Sequence, residues 1–318
     1  MNIGILTTNQ IRDDQRLLNE AENKGHAARL LDLRYISVEL SSDRPTIYFK
    51  NENISSEFDA IIPRLNVSFT DYGINILQQF ICLHTYISES PEALRLGRDK
   101  LKCLQYLMDK GLPFPATGIA FSSEYFEPII SDLKLPLVVK LIESTEGTGV
   151  FLARDIKEAQ NIIKTFGLLG ASFIVQEFVK EAAGADLRAF VVGDKIVAAM
   201  KRQSQDTDFR ANVSLGAHSS EVTLTEQEKE IILSATRSIG VNIAGVDFVR
   251  SNRGPLLLEI NVSPDFTGEQ GIEAITNTNI AAAIIDFTVE QASKYKSKPL
   301  ADNKHSVNQE YMSLCVDG

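Results

Sequence analysis

The sequence has few of the residues from which thiol and imidazole sites are built. Its 318 residues contain three cysteines and four histidines. Cys82, Cys103 and Cys315 are odd in number and widely spaced, so they predict neither a disulfide framework nor a zinc site. The histidines are scattered along the chain, and we expect each to be a structural or surface residue rather than a metal ligand or a base.

Other features of composition are also missing. The formal net charge is -10, which argues against broad attraction to nucleic acid or to anionic lipid. No apolar run approaches the roughly 20 residues that span a bilayer, and residues 1–6 lack the charged start of a signal peptide. We therefore expect a cytosolic protein that has neither a nucleic acid nor a membrane as a direct partner.

The sequence does contain enough apolar residues for a large core. Hydrophobic residues make up 44% of the chain, and its 318 residues suffice for two or three domains of roughly 100 to 200 residues each. No internal repeat or low-complexity segment is evident. A globular protein of the size of an enzyme is the starting expectation.

The first part of the chain alternates strand-like and helix-like patterns. Residues 2–7 and 27–33 predict strands, residues 13–24 predict the helix between them, and residues 58–64 predict a third strand. This alternation is typical of a small α/β domain. No G-x-G-x-x-G follows the first strand, so a dinucleotide site is not predicted. Arg64 is either a substrate contact or a surface charge, and the sequence alone favours the surface charge.

A lysine inside an apolar run marks the second part of the chain, which we expect to begin near residue 95. Residues 135–141 are L-P-L-V-V-K-L, and a buried ammonium group such as that of Lys140 usually has an anionic partner. The run leads into a Gly/Ser/Thr loop at residues 143–149, whose backbone amides can approach phosphate oxygens closely. The loop is not a Walker motif, and a flexible turn is an equally good interpretation of the loop alone.

An acidic pair in a predicted hairpin is the strongest sign of a site. Residues 244–264 contain two apolar runs around a Ser-Asn-Arg-Gly-Pro turn, which predicts an antiparallel hairpin. If the pairing is centred near Arg253, Asp247 and Glu259 lie opposite one another, and period-2 alternation places Asn261 on the face of Glu259. Two carboxylates and an amide oxygen, with no thiol or imidazole nearby, are typical ligands of Mg²⁺ or Mn²⁺.

An alternative is that Asp247 and Glu259 merely face solvent on the polar side of the strand pair. Like charges directly opposite one another destabilise a hairpin unless a positive group lies between them. This repulsion favours a bound cation over a solvent-facing pair.

The order of these features resembles the ATP-grasp superfamily and, within it, the RimK family of ATP-dependent α-L-glutamate ligases. The resemblance covers residues 1–290 and rests on the following runs, in chain order: R-D-K-L, P-L-V-V-K-L, V-Q-E-F-V, G-A-D-L-R, F-R-A-N, G-V-D-F-V-R and L-E-I-N-V-S-P. It implies a fold class that is α/β and α+β: an N-terminal Rossmann-like pre-ATP-grasp domain followed by an ATP-grasp fold with two subdomains.

The resemblance also implies domain boundaries. The N-terminal domain would span residues 1–94 and the small ATP-grasp subdomain, which carries the Gly-rich loop, residues 95–176. The C-terminal subdomain with the metal site would span residues 177–293, and a polar tail residues 294–318.

Roles for individual residues follow from the same resemblance. The implied ATP-binding residues are Lys100, Lys140, Gly147, Gly149, Glu177, Phe178, Asp186, Arg210, Ala211 and Asn212. Among them, Glu177 and Phe178 would hold the adenine through the strand backbone, and Asp186 would bind the ribose. Lys140 and Arg210 would be the catalytic residues that neutralise charge on the phosphoryl oxygens.

The implied cofactor is a pair of Mg²⁺ or Mn²⁺ ions, held by Asp247, Glu259 and Asn261 with Glu259 as the bridging ligand. In the implied reaction a carboxylate attacks the γ-phosphate of ATP to give an acyl phosphate, and an amine then attacks the acyl carbon. The products are an amide, ADP and phosphate. A loop that closes over ATP would protect the acyl phosphate from water.

The implied partners are ATP, L-glutamate and an acceptor peptide or protein, since the family adds glutamate to the C-terminus of a ribosomal protein. A homo-oligomer is also implied. Two alternatives remain open: a ligase for a small molecule or a different peptide, and a nucleotide-binding module without catalysis.

Two segments depart from the family pattern near the expected substrate end. After F-R-x-N, family members usually have a basic residue and a Gly-Gly pair, whereas this chain has Leu215 followed by Gly216 and Ala217. After N-x-S-P they usually have Gly-Leu-Glu-Gly, whereas this chain has Asp-Phe-Thr-Gly at residues 265–268. We therefore expect ATP use to be retained and the amino acid or acceptor to be the variable part.

Overall fold

The computed structural model describes residues 1–9, 12–41, 45–119, 125–142, 149–204, 210–211 and 216–297. Four sheets lie in these ranges: a parallel sheet of four strands near the N-terminus, a small sheet of three strands beside it, an antiparallel sheet of four strands in the middle of the chain, and an antiparallel sheet of five strands that carries the predicted hairpin.

The N-terminal unit confirms the predicted α/β alternation. Its elements are β1 (Asn2–Thr7), α1 (Arg12–Asn23), β2 (Ala27–Asp32), β3 (Ile36–Glu39), β4 (Thr46–Phe49), β5 (Glu52–Asn53), β6 (Ala60–Arg64), α2 (Thr70–Cys82), β7 (Tyr86–Ile87) and α3 (Pro91–Arg98). The parallel sheet has the order β2-β1-β6-β7. Strands β3, β4 and β5 form a separate antiparallel sheet that the sequence analysis did not predict.

The middle unit contains the strand that carries Lys140. Its elements are α4 (Lys100–Asp109), β8 (Thr117–Gly118), α5 (Glu127–Leu133), β9 (Leu137–Leu141), β10 (Val150–Ala153), α6 (Ile156–Leu168) and β11 (Phe173–Glu177). The sheet order is β10-β9-β11-β8, so β9 lies between β10 and β11. Helix α6 begins after Asp155, whose side chain accepts a hydrogen bond from the amide of Glu158.

The C-terminal unit is built on the large antiparallel sheet. Its elements are β12 (Ala185–Val192), β13 (Lys195–Gln203), β14 (His218–Glu221), α7 (Glu226–Ile239), β15 (Ile243–Ser251), β16 (Gly254–Asn261), α8 (Ile272–Thr276) and α9 (Ile280–Ser297). The sheet order is β14-β13-β12-β15-β16. A capping box of Thr225 and Glu228 begins α7, and Gly240, whose φ is 75°, ends it.

Both faces of the large sheet are buried, because successive strand residues point to opposite sides. Ala189 and Val191 belong to a core that includes α7, while Phe190 and Val192 belong to a second core that includes α9. The second core also contains apolar side chains of β1 and α1. The N-terminal unit therefore packs directly on the sheet that carries the hairpin.

Strands β15 and β16 form the hairpin predicted for residues 244–264. Ser251 pairs with Gly254, so the turn contains two residues and would by itself place Asp247 opposite Leu258. A β-bulge after Asp247 adds one residue to β16 and restores the pairing of Asp247 with Glu259. The predicted pairing is confirmed, although it depends on a bulge that the sequence argument did not foresee.

Two details bear on the domain boundaries, which remain our proposal. Helix α4 packs into the core that contains α7, not into the core of the middle sheet. Helix α9 continues to Ser297, beyond the proposed boundary at residue 293, and Tyr295 in this extension packs against Tyr86. Among the described helices, none is both long enough and apolar enough to cross a bilayer.

Candidate functional site

The Asp247 carboxylate is buried and bound by two arginines. Nε and Nη2 of Arg188 donate to its two oxygens at 2.7 Å each, and Nη2 of Arg202 donates to Oδ2 at 2.9 Å. Strand register explains the first contact, because Arg188 on β12 pairs with Asp247 on β15. Asp247 is 2% exposed, so the alternative of a solvent-facing acidic pair is wrong.

The other two predicted metal ligands converge on the same point. The side-chain nitrogen of Asn261 lies 3.3 Å from Oδ2 of Asp247 and 3.3 Å from Oε1 of Glu259. The nitrogen and oxygen of this amide are nearly the same size, so a half-turn of the amide would present its oxygen to the same point. Three oxygen-bearing side chains of the hairpin therefore meet, as the sequence predicted.

Arg202 connects this cluster to Asp186, the predicted ribose ligand. Its Nε and Nη2 donate to the two carboxylate oxygens of Asp186 at 2.7 Å each. Burial acts to raise the pKa of both carboxyl groups. Nevertheless, the pKa of Asp247 is lowered, because Arg188 and Arg202 both stabilise its charged form. Burial raises the pKa of Asp186 to about 6, since Arg202 offsets burial only in part and the charge of Asp247 lies nearby.

Lys140 lies in the middle sheet with no carboxylate within ion-pair distance in the described part of the chain. Its Nζ donates to Oε1 of Gln176 on β11 at 2.7 Å. Burial lowers the pKa of Lys140, and Glu259 opposes this effect from a longer distance. A buried ammonium group with a neutral partner is costly to maintain, so this position suits an anionic ligand.

The end of β11 provides the strand backbone that was predicted to hold adenine. The amide of Glu177 donates to the carbonyl of Ala116 at 2.9 Å, and the amide of Phe178 donates to that of Pro136 at 3.2 Å. Val179 follows and is buried, and its amide has no protein partner among the residues that the structure describes. The free backbone donor at this edge is therefore that of Val179.

These groups surround one cavity of about 140 Å³, which we call the inner cleft. Its lining includes Lys100, Lys140, Gln176, Glu177, Phe178, Val179, Asp186, Arg202, Arg210, Ala211, Asp247 and Glu259. Gly149 has a φ of 72° and immediately precedes Val150, which lines the cleft. Gly147 and Asn212, the other predicted ATP-binding residues, lie outside the described residues.

A larger cavity of about 650 Å³ lies between the N-terminal unit and the hairpin, and we call it the interdomain cavity. Its lining includes Thr7, Thr8, Asp14, Arg64, Asn66, Arg98, Arg188, Arg202, Glu259, Asn261, Ser263, Asp265, Thr267 and Gln270. Arg202 and Glu259 line both cavities. A molecule in one cavity can therefore approach a molecule in the other beside the Asp247, Glu259 and Asn261 cluster.

The expectation that Arg64 is a surface charge is wrong. Arg64 is 7% exposed and donates to the carbonyl of Pro264 at 2.9 Å. It also lies 3.3 Å from a carboxylate oxygen of Asp13 and 3.4 Å from one of Asp14. The strand pattern could not show this, because the partners come from α1 and from a segment two hundred residues later. Arg64 thus joins the N-terminal unit to the residues that follow the hairpin.

The departure at residues 265–268 has mixed consequences. Phe266 is fully buried and packs edge-to-face on Phe190, while the amide and hydroxyl of Thr267 both donate to Asp13. Thr267 therefore connects the segment after the hairpin to α1 of the N-terminal unit. The Asp265 side chain is 64% exposed and lines the interdomain cavity, 3.6 Å from Arg64. Leu215, the other departure, lies outside the described residues.

Two family models match the chain in succession. The RimK pre-ATP-grasp domain matches residues 1–94, and the RimK-like ATP-grasp domain matches residues 97–288. The chain belongs to the RimK-like ATP-grasp family. It is a ligase of mixed α/β architecture in which an ATP-grasp domain follows a pre-ATP-grasp domain, as the resemblance implied.

Curated relatives extend over nearly the whole chain. A protein of Chromohalobacter salexigens named probable alpha-L-glutamate ligase is 42% identical over 301 residues, which cover 94% of this chain and 98% of the relative. A protein of Pseudoalteromonas translucida with the same name is 41% identical over 295 residues, covering 92% and 97%.

Solved structures share the fold at lower identity. The RimK domain ATP-grasp protein of Sphaerobacter thermophilus aligns with a TM-score of 0.66 at 20% identity, covering 91% of this chain and all of the other. The macrocyclase MdnC of Microcystis aeruginosa, bound to its precursor peptide MdnA, aligns with a TM-score of 0.71 at 16% identity, covering 91% and 100%.

Sequence reasoning missed the arginines of the site. Arg188 and Arg202 lie in strands whose residues are mostly apolar, and Arg202 is 3% exposed. A charged residue inside such a strand needs a buried partner, so their position was a usable signal. Within the described chain, no three His, Cys, Asp or Glu side chains form a cluster that would hold a metal ion; the predicted ligand set contains two carboxylates and one amide.

Proposed function

We propose that the protein uses ATP to join L-glutamate to the carboxyl terminus of an acceptor peptide or protein, a ribosomal protein in the first instance. The observation that supports this most directly is the meeting of the inner cleft and the interdomain cavity at Arg202 and Glu259. A ligase of this kind needs a nucleotide site and a carboxylate site that share one reacting centre. The relatives named as glutamate ligases supply the proposed amino acid.

In this proposal the inner cleft binds ATP. The triphosphate supplies the negative charge that Lys140 lacks among its described neighbours, and Lys100 and Arg210 line the same cleft. Asp186, at the entrance to β12, faces the ribose. The amides of Glu177 and Phe178 are used within the protein, so we add Val179 to the proposed adenine contacts. A backbone N–H group in an apolar cleft can donate a hydrogen bond to the ring edge of a base with little loss of conformational entropy.

The donor set of the hairpin fits a divalent cation. Asp247, Glu259 and Asn261 offer only oxygen ligands once the amide is turned, which is the chemistry that Mg²⁺ and Mn²⁺ prefer. Both oxygens of Asp247 already accept hydrogen bonds from arginines, so Glu259 and Asn261 are the more available ligands. When bound, such ions would neutralise charge on the phosphate oxygens.

The reaction proceeds in two steps. A carboxylate oxygen of the acceptor attacks the γ-phosphorus of ATP, the bond from that phosphorus to the bridging oxygen breaks, and ADP leaves. The amine of glutamate then attacks the acyl carbon and loses a proton. The bond from that carbon to the phosphate oxygen breaks, and phosphate leaves. Lys140 and Arg210 stabilise the phosphoryl oxygens in the first step.

The proposal can be tested by following ADP release with Mg²⁺ present. Single amino acids are supplied with and without a peptide that ends in a free carboxylate, and the products are examined by mass spectrometry. We expect ADP release only with glutamate and the peptide together, and a peptide lengthened by glutamyl residues. If ADP release requires a different amino acid or a different acceptor, the proposed glutamate or peptide substrate is wrong.

A further inference from the structure

Arg98 stands at the wall of the interdomain cavity. It is the last residue of α3, is half-buried, and lines both that cavity and a small adjoining space of about 40 Å³. The small space is also lined by Lys100, Glu259 and Asn261, so Arg98 is close to the reacting centre. It does not line the inner cleft.

Arg98 has no carboxylate partner within ion-pair distance among the residues that the structure describes. Its Nη2 donates to the backbone carbonyl of Leu65. The other three arginines of the cavity differ, because Arg64, Arg188 and Arg202 each contact at least one aspartate. Among the four described arginines that line this cavity, Arg98 is therefore the one whose guanidinium contacts no carboxylate.

The electrostatic surroundings of Arg98 make that lack of a partner costly. Burial and, to a smaller extent, the nearby Arg64 guanidinium lower the pKa of Arg98 to about 10. Two guanidinium groups close together in a partly buried wall destabilise the protein unless an anion lies between or beside them. The exposed carboxylate of Asp265 offsets this repulsion only in part. Because Arg64, Arg188 and Arg202 are paired with aspartates, Arg98 is the charge on the described part of this wall that a ligand carboxylate would neutralise.

A second unsatisfied polar group lines the same cavity. The hydroxyl oxygen of Ser263 is buried and has no hydrogen-bond partner in the described structure. Its chain neighbour Val262 packs against Gly97, where an added Cβ would stand 2.2 Å from Cγ1 of Val262. The absence of a side chain at Gly97 therefore lets α3 approach the end of the hairpin closely. Arg98 follows Gly97 and Ser263 follows Val262 in the chain, and both line the interdomain cavity.

We propose that Arg98, with Ser263, forms a carboxylate-binding site for the substrate in the interdomain cavity. The planar guanidinium presents two parallel N–H donors to a carboxylate, and the hydroxyl adds a third donor. The anion is a substrate carboxylate rather than a nucleotide phosphate, because Arg98 faces the interdomain cavity and not the inner cleft. This inference rests on the proposed function, since it concerns the substrate of the same reaction.

The carboxylate has two sources within that function: free glutamate and the acceptor terminus. Calorimetric titration of the protein, saturated with ADP and Mg²⁺, separates them. One titrant is L-glutamate, and the other is a short peptide prepared with a free or an amidated C-terminus. Wild type, Arg98→Gln, Arg98→Lys and Ser263→Ala are compared, with Arg95→Gln as the matched control. Arg95 lies on the same helix but is exposed.

We expect Arg98→Gln to weaken the binding of one of these two carboxylates by about tenfold or more, which corresponds to about 1.4 kcal/mol. Arg98→Lys should restore only part of the affinity, because lysine lacks the planar fork. Ser263→Ala should give a smaller loss for the same titrant. None of these three changes should alter ADP affinity, and Arg95→Gln should behave as wild type. The titrant that responds identifies the source of the carboxylate.

Unchanged affinity for both titrants in Arg98→Gln would overturn the inference, as would an equal loss of ADP affinity. Thermal unfolding separates a structural role: Arg98→Gln removes the repulsion between Arg98 and Arg64, so we expect an unchanged or higher melting temperature, and a marked fall would count against the inference. A wild-type protein that binds a carboxylate through Arg98 but makes no glutamyl peptide would refute the proposed function and leave this inference standing.

Discussion

The Arg188 guanidinium binds both carboxylate oxygens of Asp247, and each distance is 2.7 Å. Arginines of the same sheet therefore hold Asp247 in place without a metal ion. A cation that binds beside Glu259 and Asn261 would share Asp247 with two arginines. This arrangement links the stability of the sheet to the occupancy of the site.

Replacing Arg188 should destabilise the protein and make it respond to divalent cations. Arg188→Gln leaves Asp247 with Arg202 alone, and breaking a buried pair costs about 3–5 kcal/mol. We expect urea unfolding to show a loss of this order, and Mg²⁺ to recover part of it in the variant. The control is Arg237→Gln, which removes an exposed pair with Asp194 and should cost under about 1 kcal/mol. Equal losses in the two variants would contradict the account.

Lys140 should reduce stability in the absence of a nucleotide. Its ammonium group is buried with Gln176 as a neutral partner, so Lys140→Met should keep or raise the melting temperature of the free protein. The same change should weaken ATP binding by about tenfold or more, because a charge-assisted contact to phosphate is lost. Calorimetric titration with an ATP analogue measures this. Lys157→Met, at an exposed position on α6, is the control. Unchanged nucleotide affinity would remove Lys140 from the site.

Glu89 should make the junction between the units sensitive to pH. Its carboxyl group accepts hydrogen bonds from the amides of Asn242 and Ile243 at the start of β15. Burial raises its pKa to about 8 from 4.5, although these amides oppose the shift. The protonated form is thus favoured by folding. Its stabilisation is complete below about pH 4.5 and is lost as the pH rises to about 8.

We therefore expect the free energy of unfolding to fall by a few kcal/mol from this group between about pH 5 and pH 8. Glu89→Gln stays neutral and should flatten that part of the profile. Urea unfolding at several pH values in both proteins isolates the contribution of Glu89, because other titrations cancel in the difference. Parallel profiles for wild type and variant would show that Glu89 does not titrate in this range.

Asp265 should act on substrate affinity without an effect on folding. Its side chain is largely exposed in the interdomain cavity, so Asp265→Asn should change stability by less than about 0.5 kcal/mol. Removal of its negative charge leaves Arg64 and Arg98 less neutralised. We expect the KM for the carboxylate substrate to fall while the KM for ATP stays constant. A variant whose ATP affinity changes instead would place Asp265 nearer the nucleotide than the structure indicates.

The sequence predicted the parts of the site that depend on local pattern. The pairing of Asp247 with Glu259 and the placement of a lysine in the apolar strand β9 both follow from strand periodicity, turn residues and the cost of burying a charge. Each of these signals lies within one short segment of the chain. They required no knowledge of how distant segments meet.

The parts that were missed depend on contacts between distant segments. Arg64 is buried because Asp13 and Pro264 reach it from the two ends of the chain. The partners of Arg188 and Arg202 are set by strand order, which no single strand reveals. The Asp247 pairing itself was right only because a bulge corrects the register of a two-residue turn. Long-range topology therefore decided which charges are buried.

The most direct test of the central claim is the rate of ADP formation in wild type and Glu259→Gln, measured with Mg²⁺, glutamate and a peptide with a free C-terminus. Glu259 lines both cavities, so the account predicts coupled ADP and glutamyl-peptide formation in wild type and loss of turnover in a variant that remains folded. Wild-type rates in Glu259→Gln, or ADP formation that ignores both glutamate and peptide, would contradict the claim that the two cavities form one ligase site.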